Sequence, residues 1–265
     1  MQTVTLKNLT LGTGTPKIIV SLMAQDFDAV TQEAECYRTA SGADFDILEW
    51  RVDFFRHVAT TEEVLAAGLA LREAFPETPL LFTFRSRHEG GEVELPLAQY
   101  RALLCAAAQS QLFDAIDLEL FSGNTDEEVL LPVLATAREH NVLTVMSSHD
   151  FGKTPSEKEI LSRLLRMEAL GADIAKIALM PQKREDVLTL LSASIAYSER
   201  PSARPLITMS MGGIGVASRV IGELTGSCAT FGALRRASAP GQMNISELRT
   251  VLAALHRAAT GSTTS

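Results

Sequence analysis

The chain has 265 residues, of which 46% are hydrophobic and 21% charged, and its 24 basic and 32 acidic residues give a formal net charge of −8. This composition excludes a disordered, collagen-like or disulfide-rich protein. The acidic balance argues against a nucleic-acid partner or an anionic membrane, because both favour clustered lysine and arginine. No apolar run reaches the roughly 20 residues that span a bilayer, and residues 1–14 lack the apolar core of a signal peptide.

The cysteines agree with this class of protein. Cys36, Cys105 and Cys228 are odd in number and widely spaced, with no CxxC pair. Such cysteines are typical of small buried side chains in a reducing compartment. One reactive thiol is the alternative, although no basic neighbourhood favours it. We therefore expect a cytoplasmic protein.

The chain begins with a predicted β-hairpin, because residues 3–11 alternate apolar and polar side chains around Lys7 and Asn8. Short apolar runs rich in Ile, Val, Leu, Phe and Thr follow, as in parallel strands covered on both faces. They span residues 17–23, 45–51, 79–85, 115–120, 142–149, 174–179, 205–211 and 227–231. Amphipathic segments that predict helices lie between and after them, over residues 26–39, 61–74, 97–108, 126–140, 156–170, 183–197, 216–224 and 246–258.

Local signals mark the ends of two of these helices. Thr60 and Glu63 have the spacing of a capping box. Pro155 is expected in the first turn of the helix over 156–170, which Gly171 ends. Eight strands alternating with eight helices predict an α/β fold, a closed (β/α)8 or TIM barrel. We expect residues 1–265 to form one catalytic domain, with the N-terminal hairpin closing the bottom of the barrel.

Sites in such barrels lie at the carboxyl ends of the strands. Polar or ionisable residues occur there in unusual number: Ser21, Glu49, Arg51, Arg85, Asp117, Glu119, His149, Lys176 and Ser210. Buried charges are costly unless they are paired. The pattern therefore predicts a polar site inside the barrel.

Lys176 is the most informative of these residues, since it lies within the apolar run IAKIAL. Desolvation and nearby cations such as Arg51 and Arg85 favour the neutral amine, which attacks a carbonyl to form a Schiff base. The structural alternative is an ion pair with a core carboxylate such as Asp117 or Glu119. The residues alone leave both readings open.

His149 ends the strand before Lys176 and suits a proton shuttle, with a carboxylate such as Glu89 to orient it. A satisfied structural histidine is the alternative. No second His or Cys has metal-ligand spacing, so we expect no zinc site. The glycines of residues 211–215 suggest either a phosphate cradle or a plain turn, and the long loop over 231–242 suggests a mobile lid.

Several stretches, in order from Thr3 to about Leu255, resemble the type I 3-dehydroquinate dehydratase (3-dehydroquinase) family. They are PKIIVSLM, FDILEWRVD, PLLFTFR followed by EGGE, IDLEL, VMSSHDF, LGADIAKIA, ITMSMG, SRVIGELTGS and TFGALRRASAPGQ. The resemblance implies a hydro-lyase of the shikimate pathway of aromatic amino acid biosynthesis. Such an enzyme eliminates water from 3-dehydroquinate through a Schiff base, giving 3-dehydroshikimate, without cofactor or metal. It also implies a homodimer.

The resemblance also assigns roles to individual residues. Lys176 would be the Schiff-base lysine, His149 the general acid and base, and Glu89 its carboxylate partner. Substrate contacts would come from Ser21, Glu49, Trp50, Arg51, Arg85, Arg219, Ser238 and Gln242, with Arg219 gripping the substrate carboxylate. Met209, Met211 and Phe231 would form apolar walls, for which plain barrel core is an equal alternative.

Two other functions remain open from the residues. A class I aldolase would use the same lysine but would favour phosphate recognition after the seventh and eighth strands. A non-catalytic metabolite-binding barrel would not need Lys176 and His149 on adjacent strands. Capture of an adduct with dehydroquinate by borohydride separates the three.

Overall fold

The computed structural model describes residues 1–40, 44–121 and 127–261. Within these ranges, eight parallel strands form one sheet in the order β10-β3-β4-β5-β6-β7-β8-β9. Their bounds are β3 Lys17–Leu22, β4 Ile47–Arg51, β5 Leu80–Thr83, β6 Ala115–Glu119, β7 Leu143–Asp150, β8 Ile174–Leu179, β9 Leu206–Ser210 and β10 Ala229–Phe231. The Cys228 N–H donates to the Leu206 carbonyl at 2.7 Å and joins β10 to β9, which confirms the predicted (β/α)8 barrel.

Helices follow the strands and cover the barrel. They are α1 Phe27–Thr39, α2 Thr61–Ala74, α3 Leu97–Gln109, α4 Glu127–Glu139, α5 Glu157–Ala169, α6 Arg184–Ser198, α7 Gly222–Thr225 and α8 Ile245–Thr260. Short 3₁₀ turns span Val52–Phe54, Arg87–Glu89 and Val216–Arg219. None of the helices in the described ranges is long and apolar enough to cross a membrane.

The strands divide the core into two parts because successive side chains on a strand point to opposite faces. On β4, Leu48 and Trp50 belong to the apolar cluster between strands and helices, whereas Ile47 belongs to a second cluster inside the barrel. On β8, Ala175 and Ile177 take the outer face and Ile174 the inner one. A polar residue two or four positions after the first inward residue is therefore buried inside the barrel.

The predicted hairpin is present as β1 Val4–Leu6 paired antiparallel with β2 Leu9–Leu11. Leu6 and Leu11 are almost fully buried and pack against the first inward residues of the strands, including Ile19. The hairpin therefore closes the amino-terminal end of the barrel with apolar side chains, as predicted.

Three local predictions are wrong. Thr60 precedes α2 without a side-chain cap, because the Glu63 N–H bonds to the Thr60 carbonyl at 3.1 Å. The Glu63 carboxylate pairs with His57 Nδ1 at 3.1 Å. Pro155 lies outside α5, whose cap is the Ser156 hydroxyl. The single helix predicted over 216–224 is a 3₁₀ turn followed by the short α7. Gly171 does follow α5 as predicted, with φ +88°. Asp126, the predicted start of α4, lies outside the described residues.

Candidate active site

A cavity opens at the carboxyl ends of the barrel strands. Most of the predicted site residues line it: Glu49, Arg51, Arg85, Glu89, His149, Lys176, Met209, Met211, Phe231, Ser238 and Gln242. Because inward positions repeat every second residue, these side chains converge although they come from distant parts of the sequence.

Lys176 lies at the bottom of the cavity. It is 3% exposed, and it is the only buried lysine among the six of the chain, all of which lie in the described ranges. Its Nζ atom is 3.1 Å from Asp117 Oδ2, 3.8 Å from Glu49 Oε1 and 4.7 Å from the centre of the Phe231 ring. The ion pair with a core carboxylate, which the sequence left open as the structural alternative, is therefore present with Asp117, and Glu49 also lies within ion-pair distance.

Asp117 and Arg85 form the centre of a buried charge network. Arg85 donates to Asp117 and Glu119, each at 2.8 Å, and to the Ser147 hydroxyl at 3.0 Å. Burial opposes ionisation of Asp117, but Arg85 and Lys176 outweigh it and hold the pKa of this carboxyl below its usual range. Buried charges are tolerated when they are paired in this way. Among the described residues, no group of three or more His, Cys, Asp or Glu side chains could hold a metal ion.

His149 stands on β7 one inward layer above Lys176, and Glu89 fixes its ring. His149 Nδ1 is 2.8 Å from Glu89 Oε2, which also accepts the backbone N–H of His149 at 3.1 Å. Burial, reinforced by Arg85 and Lys176, lowers the pKa of His149 well below its usual value. Burial, reinforced by the Glu119 charge, raises the pKa of Glu89. The imidazole is therefore neutral near pH 7, with Nδ1 held by Glu89 and Nε2 left for substrate.

The rim beside β4 supplies hydrogen-bonding groups of fixed position. Arg51 pairs with Asp53 through two bonds of 2.7 and 2.8 Å. Glu49 accepts hydrogen bonds from the Ser21 hydroxyl at 2.5 Å and the Thr83 hydroxyl at 2.9 Å. Side chains that are locked by such partners present a preformed surface to a ligand.

Arg219 is a buried cation that lacks a carboxylate partner among the described residues. It is 1% exposed, and its guanidinium donates to the Pro240 carbonyl at 2.8 Å, while Nε has no hydrogen-bond partner. Burial lowers the pKa of Arg219 to about 10. It touches the sulfur of Met209, which lines the cavity. A buried unpaired guanidinium next to a cavity is suited to receive an anionic ligand group.

The loop after β10 lies against the cavity. The Ser238 and Ser21 hydroxyls are 2.9 Å apart, and the Gln242 side-chain amide holds Ser238 through two bonds. Gly241 has φ +80°, and a Cβ there would lie 2.4 Å from the Gly212 carbonyl oxygen. The loop therefore packs tightly on the turn after β9.

Trp50 is the predicted substrate contact that the structure does not bring to the site. Its side chain is 1% exposed and packs with Phe55, Phe82 and Phe113 between the barrel and the helices. Strand alternation turns it away from the cavity, so this prediction is wrong. Ser210 also faces outward, since its neighbours Met209 and Met211 belong to the cluster inside the barrel.

Two residues at the site received no role from the sequence. Ser147 donates to Asp117 at 2.6 Å, and Phe151 lines the cavity over Gly90. Ser147 lies two residues before His149 on the same face of β7, so strand alternation was the signal that would have found it. Phe151 follows the end of β7, where this alternation no longer applies.

Comparison with known proteins identifies related sequences and structures. The family model described as type I 3-dehydroquinase matches residues 18–259. A 3-dehydroquinate dehydratase of Salmonella paratyphi B is 56% identical over 258 residues, which cover 97% of this chain and 100% of the relative.

Two solved structures share the fold closely. The type I 3-dehydroquinate dehydratase of Clostridium difficile, solved with covalently modified comenic acid, is 45% identical with a TM-score of 0.91, covering 97% of this chain and 99% of that one. The 3-dehydroquinate dehydratase of Geobacillus kaustophilus is 39% identical with a TM-score of 0.90, covering 99% and 98%.

Proposed function

Because the chain belongs to the type I 3-dehydroquinase family, which removes water from 3-dehydroquinate through a Schiff base in the shikimate pathway, we propose that Lys176 is the residue that forms it. The family excludes the aldolase and the non-catalytic barrel. One observation carries the assignment: Lys176 is the only buried lysine in the described part of the chain, and it lies at the bottom of the cavity below His149.

The first half of the proposed reaction builds an electron sink. The Lys176 ammonium gives one proton to His149 Nε2, and the resulting amine attacks the C3 ketone. The carbinolamine hydroxyl then takes that proton from His149 and leaves as water, which gives a protonated Schiff base and a neutral His149. The electron pair of a C2–H bond then moves toward the positively charged nitrogen as His149 Nε2 accepts the proton. The product is an enamine with a neutral nitrogen.

The second half expels water. The enamine nitrogen returns its electron pair, a double bond forms between C1 and C2, and the C1 hydroxyl leaves as water with a proton from His149. A second water hydrolyses the Schiff base and releases 3-dehydroshikimate and Lys176. His149 serves both halves because Glu89 fixes its ring at 2.8 Å and burial keeps it neutral.

Substrate orientation falls to the groups around the cavity. Arg219, which has no carboxylate partner among the described residues, would receive the substrate carboxylate. Glu49, Arg51, Arg85, Ser21, Ser238 and Gln242 would bind hydroxyl and carbonyl oxygens, and Met209, Met211 and Phe231 would form apolar walls.

We further propose that the enzyme is a cytoplasmic homodimer with one catalytic domain over residues 1–265. The dimer rests on the family resemblance. Light scattering of the purified chain measures its oligomeric state, and a monomer at micromolar concentration would contradict the proposed dimer.

The experiment for the function compares Lys176→Ala with Lys153→Ala, an exposed lysine beyond the cavity rim. We expect Lys176→Ala to lose the rise in absorbance of the conjugated enone product and the borohydride-trapped adduct, while Lys153→Ala keeps both. Full turnover by Lys176→Ala would contradict the proposal. Circular dichroism checks that both variants fold.

A further inference from the structure

Asp117 lies nearest to the reacting nitrogen, yet the mechanism above gives it no role. One oxygen, Oδ2, is 3.1 Å from Lys176 Nζ. The other, Oδ1, accepts hydrogen bonds from Arg85 at 2.8 Å and from the Ser147 hydroxyl at 2.6 Å. The side chain is completely buried. One oxygen therefore anchors the carboxylate while the other holds the nitrogen.

The neighbouring carboxylates are committed to other partners. The titratable and charged groups that surround the nitrogen from the adjoining strands and loops are Glu49 and Arg51 on β4, Arg85 after β5, Glu89 in the 3₁₀ turn, Glu119 on β6, His149 on β7 and Arg219 in the turn after β9. Glu49, 3.8 Å from Nζ, accepts from two hydroxyls, and Glu119 binds Arg85. Among the described residues, Asp117 is the carboxylate within hydrogen-bond distance of Nζ.

We propose that Asp117 is the fixed counter-ion of the Lys176 nitrogen, pairing first with its ammonium form and then with the protonated Schiff base. This proposal rests on the proposed function, because it requires Lys176 to form the Schiff base. An ammonium group and a ketone give a protonated Schiff base and one water, so the nitrogen keeps one positive charge. A carboxylate fixed beside it serves both states without moving or gaining a proton.

The counter-ion matters because only the protonated Schiff base withdraws electrons strongly enough to loosen the C2 proton. An opposite charge within about 4–6 Å favours a charged group by about 1–3 pH units. Without Asp117, the Schiff base should lose its proton at lower pH and accumulate as the neutral imine. The enzyme would then fail first on the alkaline side.

The test measures adduct formation against pH in Asp117→Asn, an isosteric change that removes the charge. Cyanoborohydride reduces the protonated Schiff base formed with 3-dehydroquinate, and intact mass reads the trapped fraction. We expect the alkaline limb of this profile to move to lower pH by about 1–3 units. An unmoved limb in folded Asp117→Asn would overturn the proposal.

Glu119→Gln is the matched control, since it also removes a buried carboxylate from Arg85 but does not touch Nζ. The alkaline limb of the adduct profile of Glu119→Gln should stay at the wild-type pH. An equal shift in both variants would mean that the charge of the whole network acts, and not the contact of Asp117 with the nitrogen. Absence of any wild-type adduct on Lys176 would instead refute the proposed function.

A second measurement needs no variant. Wild-type enzyme labelled with ¹³C in its aspartate carboxyl groups is examined by infrared difference spectroscopy as the adduct forms. The proposal expects no protonated aspartic acid band, because the counter-ion stays ionised. An isotope-shifted carboxylic acid band that appears with the adduct would contradict it, whether or not Asp117→Asn folds.

Discussion

The inside of the barrel has two layers that come from the same strands and do different work. The lower layer, against the hairpin, consists of the first inward residues: Ile19, Ile47, Leu81, Ala115, Val145, Ile174, Ile207 and Ala229. Two and four residues later on the same faces stand the charged groups, such as Glu49, Asp117 and Lys176. A step of two residues along a strand thus separates the apolar side chains of the lower layer from the charged side chains of the upper layer.

This difference shows how a barrel tolerates a buried polar site. The lower layer stabilises the fold because apolar surface leaves water. The upper layer holds charges whose burial is costly unless each finds a partner. Arg85 provides much of that compensation, since it binds three of the carboxylates. Changes in the upper layer should therefore alter catalysis, and changes in the lower layer should alter stability.

Apart from the loss of Lys176 itself, the largest effect in the upper layer should come from His149→Ala. Loss of general acid and base catalysis typically costs about 10²–10⁴-fold in rate. We expect kcat to fall by that factor while the Schiff base with Lys176 still forms and accumulates, as read by intact mass. His88→Ala, which removes an exposed histidine from the neighbouring turn, is the control. Similar turnover by the two variants would make His149 a structural residue.

The low pKa of His149 also predicts how kcat/KM depends on pH on the acid side. Because burial lowers the pKa of His149 well below its usual value, the imidazole stays neutral until the pH falls well under that of an ordinary histidine. The unfolded chain takes up a proton at higher pH than the folded one, so folding stability also decreases as the pH falls through this window. We expect kcat/KM to hold at slightly acidic pH. A loss of kcat/KM centred at the ordinary histidine value would contradict the assignment.

The lower layer and the hairpin that packs against it should show the opposite behaviour. Leu11→Ala removes a leucine that is 1% exposed, and large-to-small core changes of this kind cost about 2–5 kcal/mol of unfolding free energy. We expect kcat of the folded enzyme to stay the same. Leu188→Ala, at a position that is 65% exposed, should change stability by less than about 0.5 kcal/mol. A large fall in kcat in Leu11→Ala would break the division between the layers.

Arg219→Gln should separate binding from stability within the upper layer. A lost charge-assisted hydrogen bond costs about 1.5–3 kcal/mol, so substrate affinity should fall by roughly tenfold to a hundredfold. Burial lowers the pKa of Arg219 to about 10, so the charged guanidinium costs folding stability at neutral pH, and the cost disappears only as the pH rises above that value. The ligand-free variant should therefore unfold at a higher temperature. Unchanged substrate affinity would contradict the role of Arg219.

Much of this division could be predicted from the sequence. Eight apolar runs indicated the barrel, and polar residues near their ends indicated the site. The prediction that Trp50 contacts substrate was wrong because Trp50 lies between Glu49 and Arg51 in sequence, whereas strand alternation places its side chain on the outer face. The contact between Asp117 and Lys176 depends on neighbouring strands closing around one cavity, which a linear pattern leaves open. The Thr60 capping box is absent because the Thr60 N–H bonds to the His57 carbonyl, the Glu63 N–H bonds to the Thr60 carbonyl, and the Glu63 carboxylate pairs with the His57 ring.

The smallest effect concerns the loop after β10. Arg235 and Arg236 are exposed, whereas Ser238 and Gln242 are held against the cavity. If the loop opens to admit substrate, trypsin should cut after the two arginines in the free enzyme and more slowly in the trapped adduct. Cleavage after Arg257 in α8 is the control. Equal rates in both forms would mean that the loop is permanently ordered.

The proposed mechanism places the reaction on one buried lysine of the upper layer. Wild-type enzyme is incubated with 3-dehydroquinate, reduced with borohydride and digested, and tandem mass spectrometry locates the added mass. We predict that the mass lies on Lys176. Stable addition to any of the other five lysines, or full dehydration without any adduct, would contradict the account.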